Sequence, residues 1–313
     1  MFGSVFALPL YKQIKWAMET IQVASINIEK IVSDIQSGEL VPYLGAGALS
    51  TVSHAVNGSS MPADSDSLIL AMTGGTPMAP RLMYEFPRAA MHMENKKGRS
   101  FIERFLQNIY GDDQWSKSSL HLSLNKIKPP YIIDTNRDMQ LPVMYEGTPH
   151  TLIVGVARIA AHPLRFDIYE YADGDYKPIT QEQLNTSLPI IFKPLGCPLP
   201  KPSYVASDAD FVDYITELMG GFAIPTWLKS YRQNKQYVFL GMRFTRDTER
   251  MVMKDMIYAA NPDLAGYAFI AEPTDKERKF LANQNVEIIE QDWQALFSVD
   301  QATDSAKTEA ITS

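Results

Sequence analysis

The chain carries a single cysteine, Cys197, among 313 residues. A disulfide within the chain and a cysteine-based zinc site are both excluded. Cys197 is expected to be a small loop residue, and the 15 methionines beside it fit a reducing, cytoplasmic setting. Basic residues are also scarce: 29 Lys and Arg against 36 Asp and Glu give a net charge of −7. With no cationic excess to release counterions from phosphates, the charge argues against a general nucleic-acid binder and leaves only a local basic patch open. The stretch Thr245 to Lys254 holds several bases, but Asp247 and Glu249 alternate with them, the pattern of a solvated helix face. No apolar run is long enough to span a bilayer, and the apolar opening Met1 to Leu10 lacks the basic region of a signal peptide. Residues 1–25 are expected to be an arm that docks on the body, on a partner or on a second copy. Internal repeats are absent.

What is present begins with Leu40-Val41-Pro42-Tyr43-Leu44-Gly45-Ala46-Gly47-Ala48. It reads as a short strand running into a small-residue turn. Gly45 and Gly47, lacking Cβ, are expected to adopt positive φ and to leave amides open to an anion. An amphipathic helix over Ser25 to Gly38 precedes it, with Ile28, Ile31, Val32 and Ile35 at helical spacing. After it, Ser50 to Pro80 is rich in Ser, Gly, Thr and Pro and is expected to be a long loop covering whatever the turn holds. Helices are predicted over Arg81 to His92, over Ser100 to Tyr110 with Phe101, Phe105 and Ile109 on one face, and over Ser118 to Ile127.

A β-rich run, Tyr131-Ile132-Ile133, ends in Asp134-Thr135-Asn136-Arg137-Asp138. Ligand crevices of open parallel sheets lie at the carboxyl ends of the strands, so the Gly turn and Asn136 are expected to face one another. Further strands are predicted over Thr151 to Val156, Phe166 to Tyr171, Tyr176 to Ile179 after an Asp173-Gly174 turn, and Leu188 to Lys193. Asp208 to Leu218 reads as a helix. Gln236 to Gly241 reads as a buried central strand, followed by a helix from Asp247, strands at Tyr267 to Ile270 and Val286 to Ile289, and the helix Thr274 to Asn283 between them. Residues 299–313 turn polar and small, as a disordered tail does.

The ordered pieces are strand, Gly-Ala-Gly; strand, Thr-Asn-x-Asp; strand, Lys-x-x-Gly; strand, Phe-Leu-Gly; and two closing strands. This order resembles the sirtuin-like domain of the bacterial, zinc-free branch, over Ile26 to Phe297. The resemblance implies an α/β fold: a Rossmann-like parallel sheet with helices on both faces and a smaller inserted region, over residues 26–298. It implies NAD or ADP-ribose as ligand and no zinc. Gly45, Ala46 and Gly47 would cradle the pyrophosphate, with Ser50 beside them and Gly241 against the nucleotide. Asn136 would position water by the nicotinamide ribose, and Asp138 would support the same loop. These last two are the catalytic candidates. Zinc-free relatives are often NAD glycohydrolases of anti-phage systems.

Four positions depart from that pattern. Leu195, in Lys193-Pro194-Leu195-Gly196, stands where the family carries its catalytic His. A Leu accepts no proton, and general-base catalysis is worth roughly a hundred- to ten-thousand-fold in rate. Leu49 stands where a small hydroxyl is expected, with Ser50 one later. Arg137 replaces an aromatic. Arg243 follows Gly241 where Ser or Thr is common, and either meets a phosphate or forms a surface salt bridge. Asn136 also reads as a turn or cap residue. Of His54, His92, His121, His150 and His162, His54 is the candidate replacement base by its proximity to the turn. Three readings follow: a catalytically weakened sensor or subunit binding NAD or ADP-ribose; an active NAD glycohydrolase; and a scaffold for a protein partner or homo-oligomer.

Overall fold

Strict alternation along the central strands sends neighbouring side chains to two separate cores. In β1 (Leu40–Leu44), Val41 and Tyr43 enter one core while Leu40 and Leu44 enter the other. Such strands are buried on both faces, which requires helices above and below the sheet. The computed structural model, which describes residues 27–157 and 163–297, has that arrangement. The arm over residues 1–25, the tail over residues 299–313 and His162 lie outside the described residues.

The elements run α1 (Ile28–Ser37), β1, α2 (Ser65–Met72), α3 (Pro80–Met83), α4 (Phe86–Lys97), α5 (Arg99–Tyr110), α6 (Ser119–Ile127), β2 (Tyr131–Asp134), α7 (Gln140–Met144) and β3 (His150–Gly155). They continue with β4 (Phe166–Ala172), β5 (Asp175–Ile179), β6 (Ile190–Lys193), β7 (Gly196–Cys197), β8 (Ser203–Tyr204), α8 (Asp208–Gly220) and α9 (Thr226–Tyr231). The last are β9 (Gln236–Leu240), α10 (Asp247–Met256), β10 (Gly266–Phe269), α11 (Asp275–Ala282) and β11 (Val286–Ile289). The nine-stranded sheet has the order β11-β10-β9-β1-β2-β6-β3-β4-β5. Pairing is parallel from β11 to β3, and β4 and β5 close that edge as an antiparallel hairpin. The hairpin turns at Asp173 and Gly174, both at positive φ, the conformation that matches strand twist.

One face is covered by α8, α10 and α11, through Phe211, Val252, Met253 and Leu281. The other is covered by α1, α6 and α7, through Ile31, Ile35, Leu120, Leu124 and Leu141. The fold is therefore the expected Rossmann-like α/β sheet. The inserted region is α2 to α5, built on its own core of Leu68, Ile69, Phe86, Ile102 and Leu106.

Three local expectations are corrected. Ser50 to Pro80 is not structureless: Asp64 accepts from the Ser67 amide at 3.0 Å and starts α2, whose Leu68, Ile69 and Met72 are buried. A two-turn helix leaves too short a periodic signal inside Ser- and Gly-rich sequence to stand out. The helix over Arg81 to His92 is broken at Tyr84-Glu85, because Pro87 sits in the first turn of α4 and fits only a new helix start. In α5 the buried stripe is Ile102, Leu106 and Tyr110, and Phe101, Phe105 and Ile109 flank it half-buried.

The loop after β9 is tied to α11 by a charged clamp. Arg243 donates twice to Glu277, each bond 2.9 Å, and Glu277 also accepts from the Phe244 and Thr274 amides at 3.1 and 2.9 Å. Burial alone raises the Glu277 carboxyl, but Arg243 and the bonds from Thr274 and Phe244 outweigh it and hold the carboxyl down to about 2. A lowered pKa means stability present above the ordinary glutamate range and lost as pH falls. Glu277→Gln is expected to cost about 1.5–3 kcal/mol at pH 7. The difference from wild type should shrink between about pH 4.5 and pH 2, read by urea unfolding at stepped pH.

Candidate functional site

Parallel register brings four strand ends level. Leu44 pairs with Leu240 on one side and with Asp134 on the other, and Ile133 pairs with Phe192. Chain order reverses at β1, with β9 on one side and β2 on the other, the place where open sheets hold ligands. A cavity of about 730 Å³ lies across these ends, within the ~300–1,000 Å³ of small-molecule sites. It runs from Phe269 and Ala271 after β10, past Gly241, Gly47 and Asn136, to Leu195 after β6. Four strand spacings make that span about 19 Å, long enough for an extended ligand.

The Gly turn works differently from its expectation. Gly45 has φ −112°, and neither Gly45 nor Gly47 is among the residues at positive φ. Their amides are not open: Gly45 donates to the Leu240 carbonyl at 3.0 Å and Gly47 to the Gly241 carbonyl at 2.8 Å. The glycines serve close approach instead. A Cβ on Gly45 would lie 2.8 Å from the Gly241 carbonyl oxygen, and one on Gly47 2.9 Å from the Gly241 Cα. Gly241 has φ +67°, and a Cβ there would lie 2.3 Å from the Ala48 amide nitrogen. The loops after β1 and β9 thus pack backbone on backbone. Ala46, Gly47, Ser50, Gly241 and Arg243 line the cavity, and Gly45 sits behind it. Arg243 stands at the rim, half-exposed, with its guanidinium spent on Glu277.

Asn136 is buried and faces the cavity. Its Nδ2 donates to the Gly45 carbonyl and to Asp134 Oδ1, each at 2.9 Å. Two acceptors on that side fix the amide orientation, because a flipped amide would set oxygen against oxygen. Among the described residues Oδ1 has no protein donor. Asp134 in turn takes the Lys193 ammonium at 2.6 Å on its other oxygen, and Lys193 reaches Asp138 at 3.3 Å. All three charged side chains are sealed from solvent. Burial lowers the Lys193 pKa, but the two carboxylates outweigh it and leave the ammonium above its ordinary range. Burial raises the Asp138 carboxyl, but Lys193, His121 and the Gln140 amide together outweigh it and hold the carboxyl below its ordinary range. Asp138 does not line the cavity; it is buried, with the Lys193 ammonium at 3.3 Å and the Gln140 amide at 2.8 Å. Lys193 is the residue that sequence reasoning missed as part of the site. Its signal was a lysine closing an otherwise apolar strand.

None of the four described histidines, His54, His92, His121 and His150, lines the cavity. His54 is turned to Asp112 at 3.2 Å and meets the Trp115 ring edge-on. His121 is buried with neither ring nitrogen bonded. His150 is enclosed by Tyr145, Tyr171 and Tyr176 in the β3–β5 edge, and burial lowers its pKa. Leu195 does line the cavity, half-buried. Cys197 lies in β7 rather than in a loop, and burial pushes its thiol up to about 12.

The cavity wall holds two groups that spacing alone did not reveal. Glu249, expected on a solvated helix face, points inward from α10, and its Oε2 is buried without a partner. Burial raises its carboxyl to about 8. Arg137 is buried too, donating Nε and Nη2 to the Val205 carbonyl at 3.0 and 2.7 Å. Among the described residues no three His, Cys, Asp or Glu side chains form a metal site, and no helix is long and apolar enough to cross a membrane.

Sheet order and crevice define a Rossmann-like α/β protein with a cavity at the switch point. The family model for the SIR2-like domain matches residues 131–289. The chain belongs to that family, which ties it to NAD-related chemistry. The matched stretch contains Asn136, Asp138, Leu195, Gly241 and Arg243; the Gly turn precedes it and joins it only in space. A search of curated proteins finds no match.

Lys193→Met removes the ammonium and leaves two buried carboxylates facing each other. A cost of about 3–5 kcal/mol at pH 7 is expected. The loss should diminish in acid, where Asp138 is no longer held ionised and takes up a proton. Chemical denaturation at pH 7 and pH 5 measures it.

Proposed function

We propose that this chain binds NAD or ADP-ribose in the cavity across the strand ends as a catalytically weakened sensor or subunit. The observation that carries the reading is the cavity wall at Leu195: the trough keeps Gly47, Gly241 and Asn136, and no imidazole faces it among the described residues. The residues present suit such a ligand. Gly47 and Gly241 bring backbone to the surface where a side chain would obstruct a diphosphate. Ala46 and Ser50 flank the same point. Trp293 and Phe269 offer an apolar wall at the β10 end for a base. Asn136 Oδ1 offers an acceptor to a ribose hydroxyl or a water at the other end. Bound NAD would supply a glycosidic carbon open to attack by water.

A second reading, an active NAD glycohydrolase, is favoured by Glu249. A buried carboxyl raised to about 8 titrates near neutral pH and can hold or release a proton in the cavity. Asn136 would then orient the attacking water, and Glu249 would do the work of the missing His.

Calorimetry with NAD and ADP-ribose is expected to give saturable binding to the wild type. It should give none to Gly47→Val, whose side chain would push the Gly241 loop away. Failure of the wild type to bind either ligand at millimolar concentration sinks the proposal. Nicotinamide release decides between the two readings. The weakened binder gives a rate within about tenfold of buffer, unaltered by Asn136→Ala. The hydrolase gives a rate that falls roughly a hundredfold or more in Asn136→Ala and Glu249→Gln.

A further inference from the structure

Arg137 is a cation placed in the cavity wall with no anion beside it. Its side chain is 94 % withdrawn from solvent (6 % exposed). Among the described residues its hydrogen bonds go to one carbonyl, that of Val205. No carboxylate lies within ion-pair distance among the described residues. The Phe86 ring lies under the guanidinium at 5.5 Å, which holds its plane without neutralising it. Among the described residues Nη1 donates to no protein group, and Arg137 lines the cavity.

A buried, uncompensated cation is costly, and proteins keep one where something pairs with it. Each nearby candidate is already committed. Asp210 is bound to Arg99 and to the Ala206 and Ser207 amides. Glu249 lines the same cavity and forms no ion pair with Arg137 among the described residues, and burial raises its carboxyl to about 8. The main-chain path also fixes where Arg137 acts: Val205, which it holds, donates its own amide to the Leu195 carbonyl at 3.1 Å. Arg137 therefore sits at the Asn136–Leu195 end of the trough, away from the wall of Trp293.

We propose that Arg137 makes this end of the cavity a receptor for an anionic group, so that the chain selects ADP-ribosyl ligands ending in a carboxylate or phosphate over NAD. The inference rests on the nucleotide reading above and narrows it. The nicotinamide ring of NAD is a cation and meets a like charge here. A carboxylate or phosphate meets the free edge of a guanidinium at low dielectric, where the pairing is strong and geometrically selective.

The test compares ligands that differ only at that end. Calorimetry on the full chain is run with NAD, its nicotinic-acid analogue (carboxylate for carboxamide), ADP-ribose and ADP-ribose 1″-phosphate. The carboxylate analogue is expected to bind about ten- to a hundredfold tighter than NAD, and the phosphate to exceed ADP-ribose by a similar factor. The larger of the two gains identifies the preferred anion. Arg137→Lys should keep part of the preference and Arg137→Gln should remove it, with ADP-ribose still bound. If the variants fail to fold, the wild-type ratios alone decide. Equal or tighter binding of NAD overturns the assignment to Arg137 and leaves the nucleotide reading intact. Absence of binding by all four ligands overturns both.

Discussion

The pairing of Lys193 with Asp134 and Asp138 is the interaction on which the site depends. Withdrawing an ammonium and two carboxylates from water costs several kcal/mol for each ion. Here every charged atom pair is used. Asp134 receives Lys193 on one oxygen and Asn136 on the other; Asp138 receives Lys193 and the Gln140 amide. The network joins β2 to β6 at their carboxyl ends and reaches β1 through Asn136 and the Gly45 carbonyl. Three adjacent strands are thereby locked in register where the ligand crevice opens. A nonpolar replacement could match the stability, but it could not fix the Asn136 amide.

On the other side of β1 the same task is done without charge. The Gly47–Gly241 contact lets two loops share space that side chains would fill, and Gly241 is held in a conformation open mainly to glycine. Arg243 and Glu277 then anchor the outer part of that loop to α11. Ion network on one flank and glycine contact on the other together set the width of the cavity between them.

The fold was legible because it rests on periodicity. Val41 and Tyr43 against Leu40 and Leu44, or Tyr237 and Phe239 against Val238 and Leu240, sort into two cores as two-sided parallel strands must. What escaped was whatever depends on contacts distant in sequence. The glycines of the turn were visible, but their purpose lies in Gly241, nearly two hundred residues on. Glu249 looked solvated because its neighbours alternate in charge, and it is the cavity wall, not the helix sequence, that takes its carboxyl from water. Asp138 and Lys193 are 55 residues apart, and no spacing rule connects a polar loop to the end of an apolar strand. The short helix α2 depends on the insert core for its stability, so its own sequence carries little helical signal.

Leu195 and Arg137 are best understood as one change. An imidazole at position 195 would title the site for proton transfer, and an aromatic at 137 would give a neutral wall. This chain has an inert side chain at the first position and a fixed charge at the second, joined through Val205. A guanidinium stays protonated across the physiological range and cannot replace a base. What it can do is bind. The same exchange places Glu249, a group that does titrate near neutral pH, in the same cavity as a cation that does not. In the proposed reading, the titrating group of the trough lies on the wall formed by α10, and the β6 end is left to recognition of charge.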